Sequence, residues 1–519
     1  MSRIGRIIEW VAVTVERHKL LVVSCYSVVF LITCALLSAT KLMWYDEMAT
    51  YYPAKLPTAG AVVSFFWQVL DLHTPTASLA VRGAITLFGD NPVAARLPVV
   101  LGFLVCSICL FVFVVQRCPA VYAFAAMLLP ALTGAFYYAT EIRCYGIVLG
   151  LAGLALICWQ AAADGRRRGP AIAGLFLSLA SAVCCHYFAI FLWIPLGLAE
   201  LTRSWIRKQI DWPIWSVLLS SPLVLLIFLH PIRLARAVYA GGMFAKPHLS
   251  NIPSSYQSLL SEAFVPLLGV ALVYLLLAPR FSRPLPRWAG PALPECVLAA
   301  TLSLIPFFAV PFCFLAGAFN DRYVLPCVAG AAIVLAFSLC QCLKGDHFVG
   351  VVLALIFLCW FVVKNEPVVK RQIVDNGGIL TPPGRLFRTS SWSRELERSE
   401  LPIAASGALF YMQLQHYASD QVRPRIFYLA DEQMANRYEG ASSTDTNLIR
   451  FRRALPLQVV DFHGFISQNS HFLVCADTEY KNWLTSALLD EGAHLQLRSR
   501  AEPFYVYEVT LSGSTATKH

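Results

Sequence analysis

Two adjacent carboxylates are the first residues in this chain with chemistry to offer. Asp46 and Glu47 stand in the segment Trp44-Tyr45-Asp46-Glu47-Met48-Ala49-Thr50-Tyr51-Tyr52, just past a long apolar run. A carboxylate pair at a membrane boundary, beside aromatics suited to headgroup level, can abstract a proton and hold a cation or a polar substrate. Alone, the pair reads equally as the solvated start of a loop. The same loop continues through His73, within residues 70–79, to residues 89–98, and further polar segments recur at the ends of later apolar runs, first Glu141, Arg143 and Tyr145. His186-Tyr187-Phe188 and Asn320-Asp321-Arg322-Tyr323 follow. Singly, Arg143 and Arg322 read as snorkelling anchors, His186 as a hydrogen-bonded interface histidine and His73 as a loop residue. Gathered on one membrane face, they suit binding of a phosphate anion and deprotonation of a hydroxyl.

The elements that must position these groups are written in the composition. The 519 residues are 57% hydrophobic and 14% charged, against roughly 45–50% and about 25% in soluble domains, which excludes an ordinary soluble enzyme. Eleven apolar runs approach spanning length, at 20–40, 93–115, 119–138, 145–163, 170–185, 189–201, 213–229, 259–278, 296–316, 324–343 and 348–363. Prolines 195, 222, 306 and 311 interrupt several of them. Residues 1–363 are therefore expected to form a multi-span domain with an outer loop at 41–92, and residues 364–519 a soluble domain.

The net charge of +10 vanishes in that tail, where seventeen basic residues face seventeen acidic ones. The excess thus lies among the spans, where it sets topology, and a nucleic-acid partner is not expected. With the N-terminus inside, fifteen Lys and Arg fall in inner loops and nine in outer ones, which places loop 41–92 and the tail outside. The first run reads as an anchor behind an interfacial amphipathic helix at 3–18 rather than as a cleaved signal. The tail begins with a linker, 376–393, containing Pro382-Pro383-Gly384. Short β-like runs at 402–405, 425–429, 472–476 and 504–509 then alternate with helical patterns at 409–417 and 483–489, which is an α/β pattern. Its single cysteine, Cys475, excludes a disulfide within the tail.

In order and in spacing to the runs, the polar segments resemble the polytopic glycosyltransferases of the GT-C fold. The likeness is to the branch of protein O-mannosyltransferases, the lipid A aminoarabinose transferase and the RgtA/B/C/D-like proteins. Asp46-Glu47 matches the acidic pair of the first outer loop, and His73-Thr74-Pro75 a His-Pro-Pro-like segment in which Thr74 replaces a proline. Residues 95–98 match Ala-Arg-Leu-Pro; Glu141, Arg143 and Tyr145 match Glu-x-Arg-x-Tyr; 186–188 match His-Tyr-Phe; 322–326 match Arg-Tyr-x-Leu-Pro.

The resemblance implies an all-α polytopic membrane domain of about eleven helices with a C-terminal α/β domain. It also implies an inverting hexosyl- or pentosyltransferase that uses a polyprenyl-phosphate sugar and a lipid, glycan or protein acceptor. The expected location is the bacterial inner membrane, N-terminus cytoplasmic and tail periplasmic. Asp46 is the expected base, and Glu47 orients substrate or helps hold a divalent ion. Arg143 and Arg322 are expected on the donor phosphate, with Glu141, Tyr145, His73, His186, Tyr187 and Tyr323 around the substrate. A divalent metal through Glu47 and His73 is left open, since hard cations and histidine prefer different partners. The competing functions are a polytopic transporter or lipid flippase, and a receptor or assembly protein acting through its tail. A transporter predicts ionisable groups near span centres or matching half-chain repeats.

Overall fold

The computed structural model describes residues 3–239, 245–281, 290–378, 381, 383–477, 482–501 and 504–511. Pro382 of the linker, and Arg283 and Arg287 of the inner-loop cations, lie outside the described residues. Among those described, eight helices are long and apolar enough to cross a membrane, or ten if each of two bent pairs makes one span. Pro326–Cys342 is apolar but, at 17 residues, shorter than each of the eight.

The bends account for part of the difference from eleven. Ala120–Leu132 and Gly134–Thr140 meet at 74°, and Leu293–Ser303 and Ile305–Ala316 at 48°. At the first break Thr133 is extended; its hydroxyl donates to the Pro130 carbonyl at 2.8 Å and accepts from the N–H of Ala135 at 3.3 Å. At the second, Pro306 near the start of the new helix brings no N–H to continue the old one.

The chain packs as two compact units. One comprises Met1–Ser38, Gly83–His230 and Lys246–Lys370; the other comprises Ala39–Arg82, Pro231–Ala245 and Arg371–His519. In the first, helices Pro92–Val115 and Tyr145–Ala163 approach so closely that a β-carbon on Gly150 would lie 2.5 Å from the Gly102 carbonyl oxygen, and one on Gly146 2.5 Å from that of Val99. Small residues at this four-residue spacing let backbones touch where lipid supplies no hydrophobic drive between helices. Arg96 is fully buried, and its Nη1 donates to the Ser38 carbonyl at 2.7 Å, capping the helix Lys19–Thr40. The N-terminal helix Arg3–Arg17 has the expected amphipathic form: it exposes Ile7, Trp10 and Val13, while its Glu16 caps a neighbouring helix by accepting the Ala120 N–H at 2.8 Å.

The second unit holds a six-stranded sheet in the order β3-β2-β1-β4-β6-β5. Its strands are β1 (Ile403–Ala405), β2 (Ile426–Ala430), β3 (Val459–Asp461), β4 (His471–Asp477), β5 (Ala493–Ala501) and β6 (Phe504–Leu511). The first four pair in parallel, and β6 runs antiparallel to both β4 and β5. Strands β1, β2, β4 and β6 fall on the four β-like runs of the sequence. β5 reads Ala-His-Leu-Gln-Leu-Arg-Ser-Arg-Ala, too polar to declare itself, and β3 is three residues long. Phe462, Phe472, Trp483 and Leu488 fill the core on one side of the sheet. The expected loop 41–92 is itself helical, with Tyr45–Ala54, Ala59–Trp67 and Thr76–Phe88.

Candidate functional site

Asp46 and Glu47 open the helix Tyr45–Ala54, and they differ in environment. Glu47 is fully buried, and its Oε2 accepts the Trp44 N–H at 3.4 Å, tying off one of the free donors of the helix start. Asp46, one residue earlier, is half-buried. The far end of the helix is clamped by Arg82, whose guanidinium donates to the carbonyls of Ala54 (3.1 Å), Leu56 and Pro57 (2.9 Å). Ser78 donates to the Thr50 carbonyl at 2.9 Å. A cation at a helix C-terminus meets the negative end of the macrodipole, so Arg82 fixes the helix that presents Asp46.

His73 takes a partner that sequence reasoning passed over. Its Nδ1 lies 3.2 Å from Oδ2 of Asp71, a buried carboxylate whose Oδ1 accepts the Leu72 N–H at 2.8 Å. This pairing orients the ring. Among the described residues, no three His, Cys, Asp or Glu side chains are grouped to hold a metal ion, so Glu47 and His73 are not members of such a group.

The loop carrying Asp71 is held from the sheet-bearing part of the same unit. Arg450 donates to the carbonyls of Val69 and Gln68, each at 2.8 Å, where Val69 adopts a left-handed φ of 52°. Tyr239 donates to Asn447, and Tyr45 stacks on Phe451 at 6.4 Å. The Tyr45 hydroxyl is driven well above its ordinary pKa, first by burial and then by the charge of Asp71 and by Tyr239. The hydroxyl therefore stays protonated. Asp71, Tyr239, Asn447 and Arg450 carried no recognisable motif; the Asp-x-His spacing at 71 and 73 was the one available signal.

In the membrane unit, residues from three distant segments meet at a small cavity lined by Tyr145, His186, Arg322, Tyr323 and Pro326. The Arg322 guanidinium lies over the Tyr145 ring, 5.4 Å from its centroid. The His186 ring sits 5.5 Å from Tyr145 and 5.1 Å from Tyr323, and Tyr323 stacks on Phe188 at 4.4 Å. Local chemistry sets each one. His186 Nδ1 accepts the Phe188 N–H at 3.3 Å, which leaves the other ring nitrogen as the donor of the neutral imidazole. Asn320 Oδ1 accepts the Arg322 N–H at 3.3 Å, starting the short turn Asp321–Val324, and Asp321 accepts from Ser255 at 2.8 Å.

Glu141 and Arg143 are buried next to this cavity without lining it. Burial pushes the Cys144 thiol up to about 12, opposed by the positive charge of both Arg143 and Arg322. Tyr187 departs from the set: its ring packs edge-on against Phe228 at 5.5 Å and does not line the cavity. The sequence-derived residues therefore form two groups, Asp46, Glu47 and His73 in one unit and Glu141, Arg143, Tyr145, His186, Arg322 and Tyr323 in the other.

No protein-family model and no curated protein sequence matches the chain. Solved structures do. ArnT from Cupriavidus metallidurans bound to undecaprenyl phosphate superimposes over 94% of this chain and 97% of its own, with a TM-score of 0.53 at 14% identity. The apo state of the same protein gives a TM-score of 0.55 at 13% identity over the same shares. The chain has the GT-C fold. A GT-C body with eight to ten candidate spans makes this an integral membrane protein.

Proposed function

We propose that this GT-C chain is an inverting glycosyltransferase that moves a hexosyl or pentosyl group from a polyprenyl-phosphate donor to a lipid, glycan or protein acceptor. The observation that carries the reading is the cavity where Arg322 covers Tyr145 beside His186 and Tyr323, in a chain that shares its fold with an undecaprenyl-phosphate-binding protein. Arg143 and Arg322 serve the donor phosphate, and the aromatic rings flank the sugar-phosphate.

Asp46 is the general base. It takes the proton of the acceptor hydroxyl, and the freed oxygen bonds to the anomeric carbon as the bond from that carbon to the phosphate oxygen breaks. In-line displacement inverts the centre, and polyprenyl phosphate leaves with the electron pair and its new negative charge, which the guanidiniums stabilise. Glu47 positions Asp46 through the helix cap, and Asp71 orients His73 toward substrate. The reaction faces the outer side of the bacterial inner membrane, with the N-terminus cytoplasmic and the sheet-bearing tail periplasmic. Protein in lipid nanodiscs, given a panel of polyprenyl-phosphate sugars and an envelope acceptor extract, is expected to consume one donor, and Asp46→Asn none while still binding it, as read by mass spectrometry. Wild-type turnover by Asp46→Asn refutes the base. Solute or lipid movement across a bilayer with no donor consumed refutes the transferase in favour of a transporter.

A further inference from the structure

The membrane unit carries a second cationic centre at the opposite end of the helix that starts at Tyr145. That helix runs 19 residues to Ala163, about 28 Å at ~1.5 Å per residue. Beyond it, Arg168 from the next helix, Arg207 at the end of the helix Trp193–Arg207, Gln209 and Asp211 from the turn after it and Trp212 at the start of the following helix line a cleft.

Charge is unbalanced there. Asp211 is gripped by Arg168 and Arg203, with Arg207 at 3.9 Å. Glu200 takes the Arg203 fork at 3.0 and 2.9 Å and the Trp159 indole N–H at 3.1 Å. Two carboxylates thus face three guanidiniums, and Arg167 and Lys208, both exposed, add two more cations. Arg203, 7% exposed, lies outside the cleft lining and holds Asp211 from behind the surface. The excess of positive charge around the cleft suits an oxyanion.

The backbone points the same way. Arg167 and Lys208 have φ of 42° and 51°, the left-handed conformation that suits glycine. At the second turn the N–H groups of Lys208 and Gln209 close on Trp205 and Ser204 at 3.2 Å, the helix-ending motif in which glycine is preferred. The chain accepts the steric cost at both turns and sets a cation beside the cleft each time. Trp212, 66% exposed, lines the cleft, and Trp205, 79% exposed, precedes Arg207 by two residues on the same helix; indoles of this kind sit at headgroup depth.

We propose that this cleft binds the phosphodiester headgroup of an anionic phospholipid, independently of the transfer reaction. The exposed indoles favour an anion that arrives on acyl chains over one free in water. The test is native mass spectrometry of the purified full-length protein with dioleoyl phosphatidylglycerol, dioleoyl phosphatidylcholine or inorganic phosphate. The wild type is expected to retain phosphatidylglycerol over phosphatidylcholine and to keep it against phosphate. The variant R167G/K208G removes two cations and relieves two left-handed residues, so its unfolding midpoint should hold or rise while phosphatidylglycerol retention falls about fivefold per cation. R207Q, which alters an exposed side chain, should show the single-cation loss. Equal retention of both lipids, unchanged retention in R167G/K208G and R207Q, or displacement by inorganic phosphate overturns the proposal.

Discussion

Replacing Arg322 by Met removes a cation and keeps a stem of similar shape, which isolates the electrostatic part of the proposed mechanism. The guanidinium lies 5.4 Å from the centroid of the Tyr145 ring, in a cavity it shares with His186 and Tyr323. A phosphate oxygen about 4 Å from such a cation interacts by about 4 kcal/mol at an effective dielectric near 20. Loss of one preorganised donor to a developing oxyanion costs about 2.7–4 kcal/mol in enzymes where it has been removed. Both routes give a slowing of about 10²–10³ in the transfer step. The lost cation–π contact weakens the fold by about 0.5–2 kcal/mol, so the unfolding midpoint falls slightly and must be measured alongside. Arg322→Lys keeps the charge without the planar fork and should fall between Met and wild type. The assay is single-turnover donor consumption at saturating polyprenyl-phosphate sugar, followed by mass spectrometry. A folded Arg322→Met protein that turns over at the wild-type rate refutes the assignment of Arg322 to the leaving phosphate.

Arg82→Met should destabilise the Asp46-bearing helix by about 2–4 kcal/mol, because three carbonyls lose a charged donor at a half-buried site; an unchanged denaturation midpoint would show that solvent replaces the clamp. Gly150→Val should lower the unfolding midpoint, since its β-carbon would lie 2.5 Å from the Gly102 carbonyl oxygen, with overpacking costing about 1–3 kcal/mol. The Asp445 carboxyl is pushed up to about 7 by burial, against the pull of the Asp431 N–H and the Tyr428 hydroxyl. Unfolded, it titrates at about 3.9. The folded form therefore holds the extra proton between these values, and its stabilising effect is lost as pH rises from about 4 to about 7. Asp445→Asn should flatten that part of the stability–pH curve, and a curve identical to wild type would show that Asp445 does not titrate there.

Much of this molecule is legible locally. Mean hydropathy over a window finds membrane helices because each residue contributes to insertion nearly independently of its neighbours in space. Four of six strands fell on short β-like runs of the sequence, whereas β5, half polar, pairs along its length with β6. Of the interrupting prolines, Pro306 falls at the 48° bend, whereas the 74° bend at Thr133 was marked by none of them, and the spans containing Pro195 and Pro222 are not among the bent pairs. How far a span bends depends on what each half packs against.

The site divides in the same way. Residue types and spacing alone put Asp46, Glu47, Glu141, Arg143, His186 and Arg322 at the ends of apolar runs, since polar groups are excluded from lipid and collect there, and His73 in the loop that follows the first run. Only the tertiary structure decided where each one sits and what it contacts. It brought Tyr145, His186 and Arg322 to one cavity, gave His73 to Asp71, buried Glu47 as a helix cap and turned Tyr187 toward Phe228. It also spent Arg96, part of a motif, on the last carbonyls of the first span. A hydrogen bond or a stacked pair is a relation between segments far apart in the chain, fixed by packing and by the need to satisfy every buried polar group. No window of sequence contains both partners.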